Sequence, residues 1–199
     1  MTTKRIQLKQ DVENEPPFHI YEIGVAKNYS VYISEAIDAP NLYTHLFSFL
    51  RNAMPHDSIT MYINSPGGNL STGLQLITSI NECQATVRTV LDGVAASLAP
   101  LILFAGHEII INDNAMIMFH DYSTENYGKG NEIKSSAEAY EKLYKKLLKC
   151  YAHPFLSTQE IDQITRGQDF YFDSDEIIER LEKLTAPSNK KRKPRKKKI

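Results

Sequence analysis

Hydrophobic positions along the chain recur at intervals of two in some segments and of three or four in others, which predicts strands and helices. Residues 30–37 and 58–65 have the alternation of strands, and residues 41–54 between them repeat apolar side chains at helical spacing. These three segments predict a β-α-β unit. Because such units place parallel strands side by side through right-handed connections, the pattern favours an α/β sheet.

Predicted helices and strands continue to alternate from residue 70 onward. Helices are predicted at residues 70–83 and, short and apolar, at 98–106. Strands are predicted at residues 85–93, 108–113 and 115–122. From Glu132 to Ala152 the apolar residues recur every three or four positions, which predicts one long amphipathic helix.

Length and composition fit one domain. The chain has 199 residues, of which 42% are hydrophobic, as in ordinary soluble globular proteins. No apolar run approaches the ~20 residues of a membrane helix, and residues 1–17 do not resemble a signal peptide. We therefore expect a cytoplasmic protein with no membrane partner, in which residues 1–17 form a flexible arm, 18–186 the folded domain and 187–199 a disordered tail.

Positive charge is concentrated in the tail. Residues 189–199 hold 8 of the 23 basic residues and no acidic residue, which leaves 15 basic against 24 acidic residues in the rest of the chain. Such a run cannot bury enough apolar surface to fold alone. The tail either only aids solubility or binds nucleic acid or an acidic partner through Lys190–Lys198.

The residues that commonly hold cofactors do not occur in the necessary patterns. Cys83 and Cys150 lie far apart without the spacing of a zinc site, so they are predicted to be reduced, partly buried packing residues. The chain has no G-x-x-x-x-G-K-[ST] loop, so ATP is not expected to bind. No metal or organic cofactor is predicted.

Candidate chemistry lies where strands give way to helices. Residues 93–98, GVAASL, place Ser97 at the boundary between a predicted strand and the helix that starts near Leu98. Free N–H groups at a helix N-terminus favour a developing negative charge, so Ser97 fits the position of a nucleophile. The alternative is that Ser97 is only an N-cap.

A base and a carboxylate are available to such a serine. His120 ends a predicted strand, at the sheet edge where ligand crevices form, although a single histidine can also be a surface or core residue. Asp121 turns to the opposite face of the strand, so the better carboxylate is Asp169, which precedes an aromatic turn. Asp173 or Ser174 is predicted to N-cap the last helix.

The segment YINSPGGNLSTG, residues 62–73, contains a Pro-Gly-Gly turn that fits the same chemistry. Acyl transfer through a serine needs two N–H donors aimed at the oxyanion, and a backbone that approaches a carbonyl so closely cannot carry a Cβ. Gly67 and Gly68 supply such a backbone. The simpler explanation is an ordinary turn.

Taken together, these motifs resemble one known family. YINSPGG at 62–68, GVAASLA at 93–99 and NAMIMFH at 114–120, with the order Ser, His, Asp, are similar to the proteolytic subunit of the ATP-dependent Clp protease. The resemblance runs from about residue 28 to 182, and the pairing of the first two motifs at this separation is highly specific.

The resemblance implies a role for each candidate residue. Ser97 is the nucleophile, His120 the general base and Asp169 the carboxylate that orients the base. The amides of Gly68 and Leu98 form the oxyanion hole. The substrate-binding residues that it implies are Gly67, Asn69, Leu70 and Tyr122.

The resemblance also implies a fold and an assembly. The fold is α/β, a crotonase-like β-α spiral in which the long helix 132–152 is a handle. The implied assembly is a homo-oligomeric ring, commonly heptameric and stacked in pairs, that encloses the active sites. The implied substrates are unfolded polypeptides supplied by an AAA+ unfoldase. A phage-type processing protease is the other function that the resemblance allows. Apolar stripes on helices 41–54 and 132–152 are expected to supply subunit contacts.

The chain departs from the family pattern at several positions. Asp121 and Tyr122 follow the histidine in place of Gln-Pro, Gln168 replaces a basic residue before the aspartate, and the usual Gly-Leu-Ile-Asp ending is absent. The change at Gln168 predicts a weaker contact between stacked rings. Two alternatives stay open: a noncatalytic scaffold subunit, and an acyl-coenzyme A enzyme that uses the oxyanion hole without a serine nucleophile.

Overall fold

The computed structural model describes residues 18–23, 27–125 and 127–185. Within these residues the strands are β1 (Phe18–Ile23), β2 (Asn28–Ile33), β3 (Ser58–Ser65), β4 (Thr86–Ala96), β5 (Glu108–Ile111), β6 (Met116–Phe119) and β7 (Phe170–Asp173). The α-helices are α1 (Thr44–Asn52), α2 (Leu70–Glu82), α3 (Ala99–Leu103), α4 (Gly130–Leu147), α5 (Thr158–Ile164) and α6 (Ser174–Thr185). The predicted arm 1–17 and tail 187–199 lie outside the described residues.

All seven of these strands belong to one mixed sheet. Its order is β1-β2-β3-β4-β6-β7, and β5 also pairs with β4. Strands β2, β3 and β4 are parallel, as are β5 and β6 to β4, whereas β1 and β7 run antiparallel to their neighbours. The predicted β-α-β unit is confirmed as β2-α1-β3, and so is the α/β class.

Strand β4 is long enough to pair with two strands in succession. Its first part, Arg88–Leu91, pairs with β5, and its last part, Val94–Ala96, pairs with β6. This arrangement extends β4 and β6 beyond β5 and brings their carboxyl ends together. The residues that follow these ends are Ser97 and His120.

The core lies between the sheet and the helices. Alternate residues of β3 are buried, and the helices contribute side chains that are fully buried, among them Leu46, Leu50, Leu76 and Leu101. Leu46, Phe47 and Leu50 on α1 are therefore covered within one chain and cannot supply the subunit contact expected from this stripe, whereas Phe49 in the same stripe is half-buried. On the long helix, Tyr144 and Leu147 are buried and Tyr140 is exposed.

Several element boundaries differ from the predictions. Strand 30–37 begins at Asn28 and ends at Ile33, after which Ile37 forms an isolated bridge with Gly68. The long helix begins at Gly130 and ends at Leu147, and one π-helical turn, Leu148–Ala152, continues it. Cys83 is buried as predicted, but Cys150 in this turn is exposed.

Two elements in the last third of the chain were not predicted. The aromatic turn after Asp169 is strand β7, because the alternation of Phe170 and Phe172 turns both rings towards the hydrophobic core. Helix α5 begins with a capping box, in which Ser157 and Glu160 each accept a hydrogen bond from the other's backbone N–H. No helix among the described residues is both long and apolar enough to cross a membrane.

Candidate active site

Ser97 lies between β4 and α3 in the left-handed region, with φ of 60°. A residue other than glycine costs about 1–3 kcal/mol there and persists only where its surroundings hold it. Here the Ser97 N–H donates to the Met118 carbonyl at 2.9 Å, which ties the serine to the end of β6. The N-cap residue of α3 is Leu98, without a side-chain cap, so the N-cap alternative for Ser97 is wrong.

The glycine turn packs directly against the main chain on both sides of Ser97. A Cβ built on Gly67 would lie 2.6 Å from the Ala96 carbonyl oxygen and 2.7 Å from the Ser97 Cβ, and φ of Gly67 is 90°. No larger residue fits this space without moving the backbone. The two glycines therefore allow the turn to approach the candidate nucleophile.

Hydrogen bonds attach this turn to the segment that follows β2. The Ser65 hydroxyl donates to the Glu35 carbonyl at 2.6 Å and accepts from the Gly67 N–H at 3.2 Å. The Ile37 N–H donates to the Gly67 carbonyl at 2.8 Å, and the Asn69 N–H donates to the Ile37 carbonyl at 2.7 Å. Main-chain groups on both sides of Gly68 are thus paired within the chain.

Two N–H groups next to Ser97 remain available. Among the described residues, neither the Gly68 N–H nor the Leu98 N–H has a hydrogen-bond acceptor. Gly68 is exposed, and Leu98 directly follows the serine. Two preorganised N–H donors beside a nucleophile are what stabilisation of an oxyanion requires.

His120 and Asp169 lie at the same end of the β6–β7 ladder. Phe119 pairs with Phe170, and His120 directly follows the first of these residues while Asp169 directly precedes the second. His120 and Asp169 therefore lie directly beyond the last residue pair of the ladder, one next to each strand's end at this edge. Ser97 lies beside the same end of β6, because its N–H donates to the carbonyl of Met118 on that strand.

Ser97, His120 and Asp169 all lie in the described part of the chain and form no hydrogen bond or ion pair with one another in this structure. The serine and the histidine are half-buried, and the aspartate is exposed. Catalytic hydrogen bonds are often long without substrate and tighten in the complex. The absence of these hydrogen bonds therefore does not exclude the predicted triad.

Several polar groups of the predicted substrate-binding residues form hydrogen bonds within the chain. The Asn69 side chain caps α2 by accepting from the Thr72 N–H at 3.1 Å, and Leu70 is the first residue of that helix. The Tyr122 hydroxyl donates to the Ala137 carbonyl on α4 at 3.0 Å. The main chain of Gly67 is paired as above. Substrate contacts by these residues stay predictions.

Strand β7, which leads from Asp169, is held by Arg180 on α6. The guanidinium lies 4.3 Å from the centre of the Phe172 ring and forms ion pairs with Glu160 and Glu176. Burial raises the pKa of the Glu160 carboxyl, but hydrogen bonds from Arg180 and Ser157 outweigh it and lower the pKa overall. Of the two predicted N-caps, Asp173 caps α6 by accepting from the Glu176 N–H at 2.9 Å.

Two residues near the site were missed in the sequence. Ser65, which bridges Glu35 and Gly67, is a buried polar residue within the YINSPGG motif, and its position there was the available signal. Tyr144, whose hydroxyl donates to the His120 carbonyl, is distant in sequence and gave no such signal. The described residues contain no group of three or more His, Cys, Asp or Glu side chains arranged to hold a metal ion.

The glycine turn, Ser97, His120 and Asp169 thus lie at the ends of β3, β4, β6 and β7 within one sheet. A sequence model of the Clp protease family matches residues 18–180. The chain therefore belongs to the Clp protease family, and its sheet and helices form that family's type of α/β fold. The match covers the elements from β1 to most of α6, and thus all the residues of the candidate site.

Proposed function

We propose that this protein is a serine endopeptidase with Ser97, His120 and Asp169 as its triad. Ser97 Oγ attacks the carbonyl carbon of a peptide bond, and the His120 imidazole takes the hydroxyl proton. The carbonyl oxygen becomes an oxyanion and accepts hydrogen bonds from the N–H groups of Gly68 and Leu98. Asp169 orients the imidazole and stabilises its protonated form.

The intermediate then breaks down in two steps. Protonated His120 gives its proton to the leaving amine as the C–N bond breaks, which leaves an acyl ester on Ser97. Water then attacks the ester while His120 again takes a proton, and the acid product leaves with regenerated serine. These steps need only the protein groups named here and water.

One observation carries this proposal more than any other. Ser97 has a left-handed backbone and packs against Gly67, and the N–H groups of the residues that follow each of them, Gly68 and Leu98, have no acceptor among the described residues. A serine with only a structural role would not need a strained conformation beside two unpaired donors.

Covalent labelling by a fluorophosphonate tests the proposal. The probe phosphonylates an activated serine, so we expect stoichiometric modification of the peptide that contains Ser97, found by mass spectrometry. Ser97→Ala should remove the label. Ser71→Ala, which changes an exposed serine on α2, is the matched control and should leave labelling unchanged.

A noncatalytic scaffold is the second candidate function. The observation in its favour is that the three triad side chains form no hydrogen bond with one another in this structure. The same experiment separates the two functions. A folded and assembled protein that is not labelled supports the scaffold, whereas labelling at Ser97 contradicts it and also the acyl-coenzyme A enzyme.

We further propose a homo-oligomeric ring that receives unfolded polypeptide from an AAA+ unfoldase. Family membership supports this proposal, as do exposed apolar side chains on α4, Ile133 and Tyr140, and on β4 and β5, Val94 and Ile110. Native mass spectrometry over a dilution series measures the assembly. A protein that stays monomeric at micromolar concentration would contradict the ring.

A further inference from the structure

The peptide carbonyl of His120 is held by a side chain from a distant helix. Strand β6 ends at Phe119 and the next α-helix begins at Gly130, so His120 starts a segment outside the sheet. In this segment the Tyr144 hydroxyl donates to the His120 carbonyl oxygen at 2.6 Å. The main chain of His120 is thus fixed to α4 just where the ladder no longer holds it.

Tyr144 is a firm anchor for this hydrogen bond. Its side chain is 4% exposed and belongs to the hydrophobic core with Leu147 and Leu148. Burial, and then the negative charge of Asp121, raise the pKa of the Tyr144 phenol. The hydroxyl therefore keeps its proton under all conditions in which the enzyme would work, and the donor is always present.

A second tyrosine ties the same segment to α4 in the opposite direction. The Tyr122 hydroxyl donates to the Ala137 carbonyl at 3.0 Å, and its ring centre lies 6.2 Å from that of Tyr144. One hydrogen bond thus runs from the helix to the segment and the other from the segment to the helix. Of these two tyrosines, Tyr144 is the one that contacts His120 itself.

We propose that Tyr144 is a positioning residue, which sets the peptide plane and thereby the imidazole of the general base His120. The role rests on the proposed serine peptidase function. The imidazole extends from the Cα of His120, so a rotation of the adjoining peptide plane displaces the ring. A misplacement of about 1 Å in a catalytic group can lower the rate by about 10²-fold.

Replacement of Tyr144 by Phe removes the donor and keeps the ring. In Tyr144→Phe we expect the maximal rate of fluorophosphonate labelling at Ser97 to fall by roughly 10- to 100-fold, while the probe concentration that gives half-maximal rate stays unchanged. Tyr151→Phe is the matched control, because it removes a hydroxyl that pairs with Asn81 and does not contact the site. Its labelling rate should equal that of the unaltered protein, and thermal unfolding should show both variants folded.

The same substitution in a His120→Ala background shows whether the effect acts through the imidazole. Without the ring there is nothing left to position, so Tyr144→Phe should change the slow residual labelling by less than about twofold. A similar fall in both backgrounds, or no fall in the first, would overturn the positioning role while labelling of the unaltered protein still supports the peptidase. Absence of labelling in the unaltered folded protein would overturn both.

Discussion

The serine side of the candidate site is held mostly by hydrogen bonds between main-chain groups, whereas the histidine side is held by side chains, through one hydrogen bond and through core packing. On the serine side, the turn from Ser65 to Asn69 is hydrogen-bonded to the segment after β2, and Gly67 packs against Ala96, Ser97 and Leu98 with no room for a Cβ. On the histidine side, the Tyr144 hydroxyl donates to the His120 carbonyl, and the Phe172 ring anchors β7, which follows Asp169, in the core.

Because of this difference, the N–H donors are fixed before substrate binds, whereas the side chains of His120 and Asp169 can still adjust. The Gly68 N–H cannot turn away without breaking the hydrogen bonds that hold Gly67 and Asn69 to Ile37, and the Leu98 N–H follows a serine whose own N–H is bonded to Met118. The imidazole and the carboxylate can change rotamer, because neither is hydrogen-bonded to another triad member. We therefore expect the oxyanion hole to be preformed and the triad to be completed by bound substrate.

The largest effect is expected from the carboxylate on the histidine side. Asp169→Asn should lower turnover by about 10⁴-fold with little change in folding, because an amide holds the wrong imidazole tautomer, as in serine proteases with a Ser-His-Asp triad. Peptide hydrolysis and chemical unfolding measure the two quantities separately.

Asp173 provides the matched control on the same strand. It accepts from the Glu176 N–H as the N-cap of α6, and Asn caps nearly as well as Asp. Asp173→Asn should therefore cost less than ~1 kcal/mol of unfolding free energy and leave turnover intact. If the loss of activity appeared in this variant and not in Asp169→Asn, the assignment of Asp169 would be wrong.

The serine side should respond to a single added methyl group. In Gly68→Ala the new Cβ would lie 2.2 Å from the Ile37 carbonyl oxygen, at φ of 144°, so the turn must shift. Displacement of one oxyanion donor lowers kcat by about 10²–10³-fold. We expect a loss of this size, measured as kcat on a peptide substrate, together with a lower unfolding temperature.

Gly130→Ala tests whether this loss reflects close packing at Gly68. Gly130 begins α4, and a Cβ there meets nothing within 4 Å. The variant should keep its activity and its unfolding temperature. Wild-type kcat in a correctly folded Gly68→Ala would remove the Gly68 N–H from the proposed oxyanion hole.

The same contrast explains how much could be predicted from the sequence. The glycine turn and the serine were visible because main-chain geometry needs particular residue types within a few positions. Tyr144 was not visible, since its contact with His120 joins residues that are adjacent only after folding. Strand β7 was mistaken for a turn, although Phe170 and Phe172 alternate as in a strand, because it is only four residues long.

The smallest effect is expected at Arg180, which supports the histidine side through Phe172 and Glu160. Arg180→Met should lower the unfolding free energy at pH 7 by roughly 1 kcal/mol, since a partly exposed ion pair and a cation–π contact each contribute little. Lys183→Met, which breaks an exposed ion pair with Glu179 on the same helix, is the control and should cost less.

The pH dependence of this effect separates its two components. The pKa of Glu160 is lowered in the folded protein from its ordinary value of 4.5, so its ion pair with Arg180 stabilises the fold above that pH and is lost as the pH falls through the lower, folded value. The contact of Arg180 with the Phe172 ring needs no carboxylate and persists in acid. The difference between unaltered protein and Arg180→Met, measured by denaturant unfolding, should therefore shrink below pH 4.5 without vanishing. A difference that is the same at pH 7 and in acid would assign the contribution of Arg180 to its contacts with Phe155 and Phe172, which need no carboxylate, and none to its ion pair with Glu160.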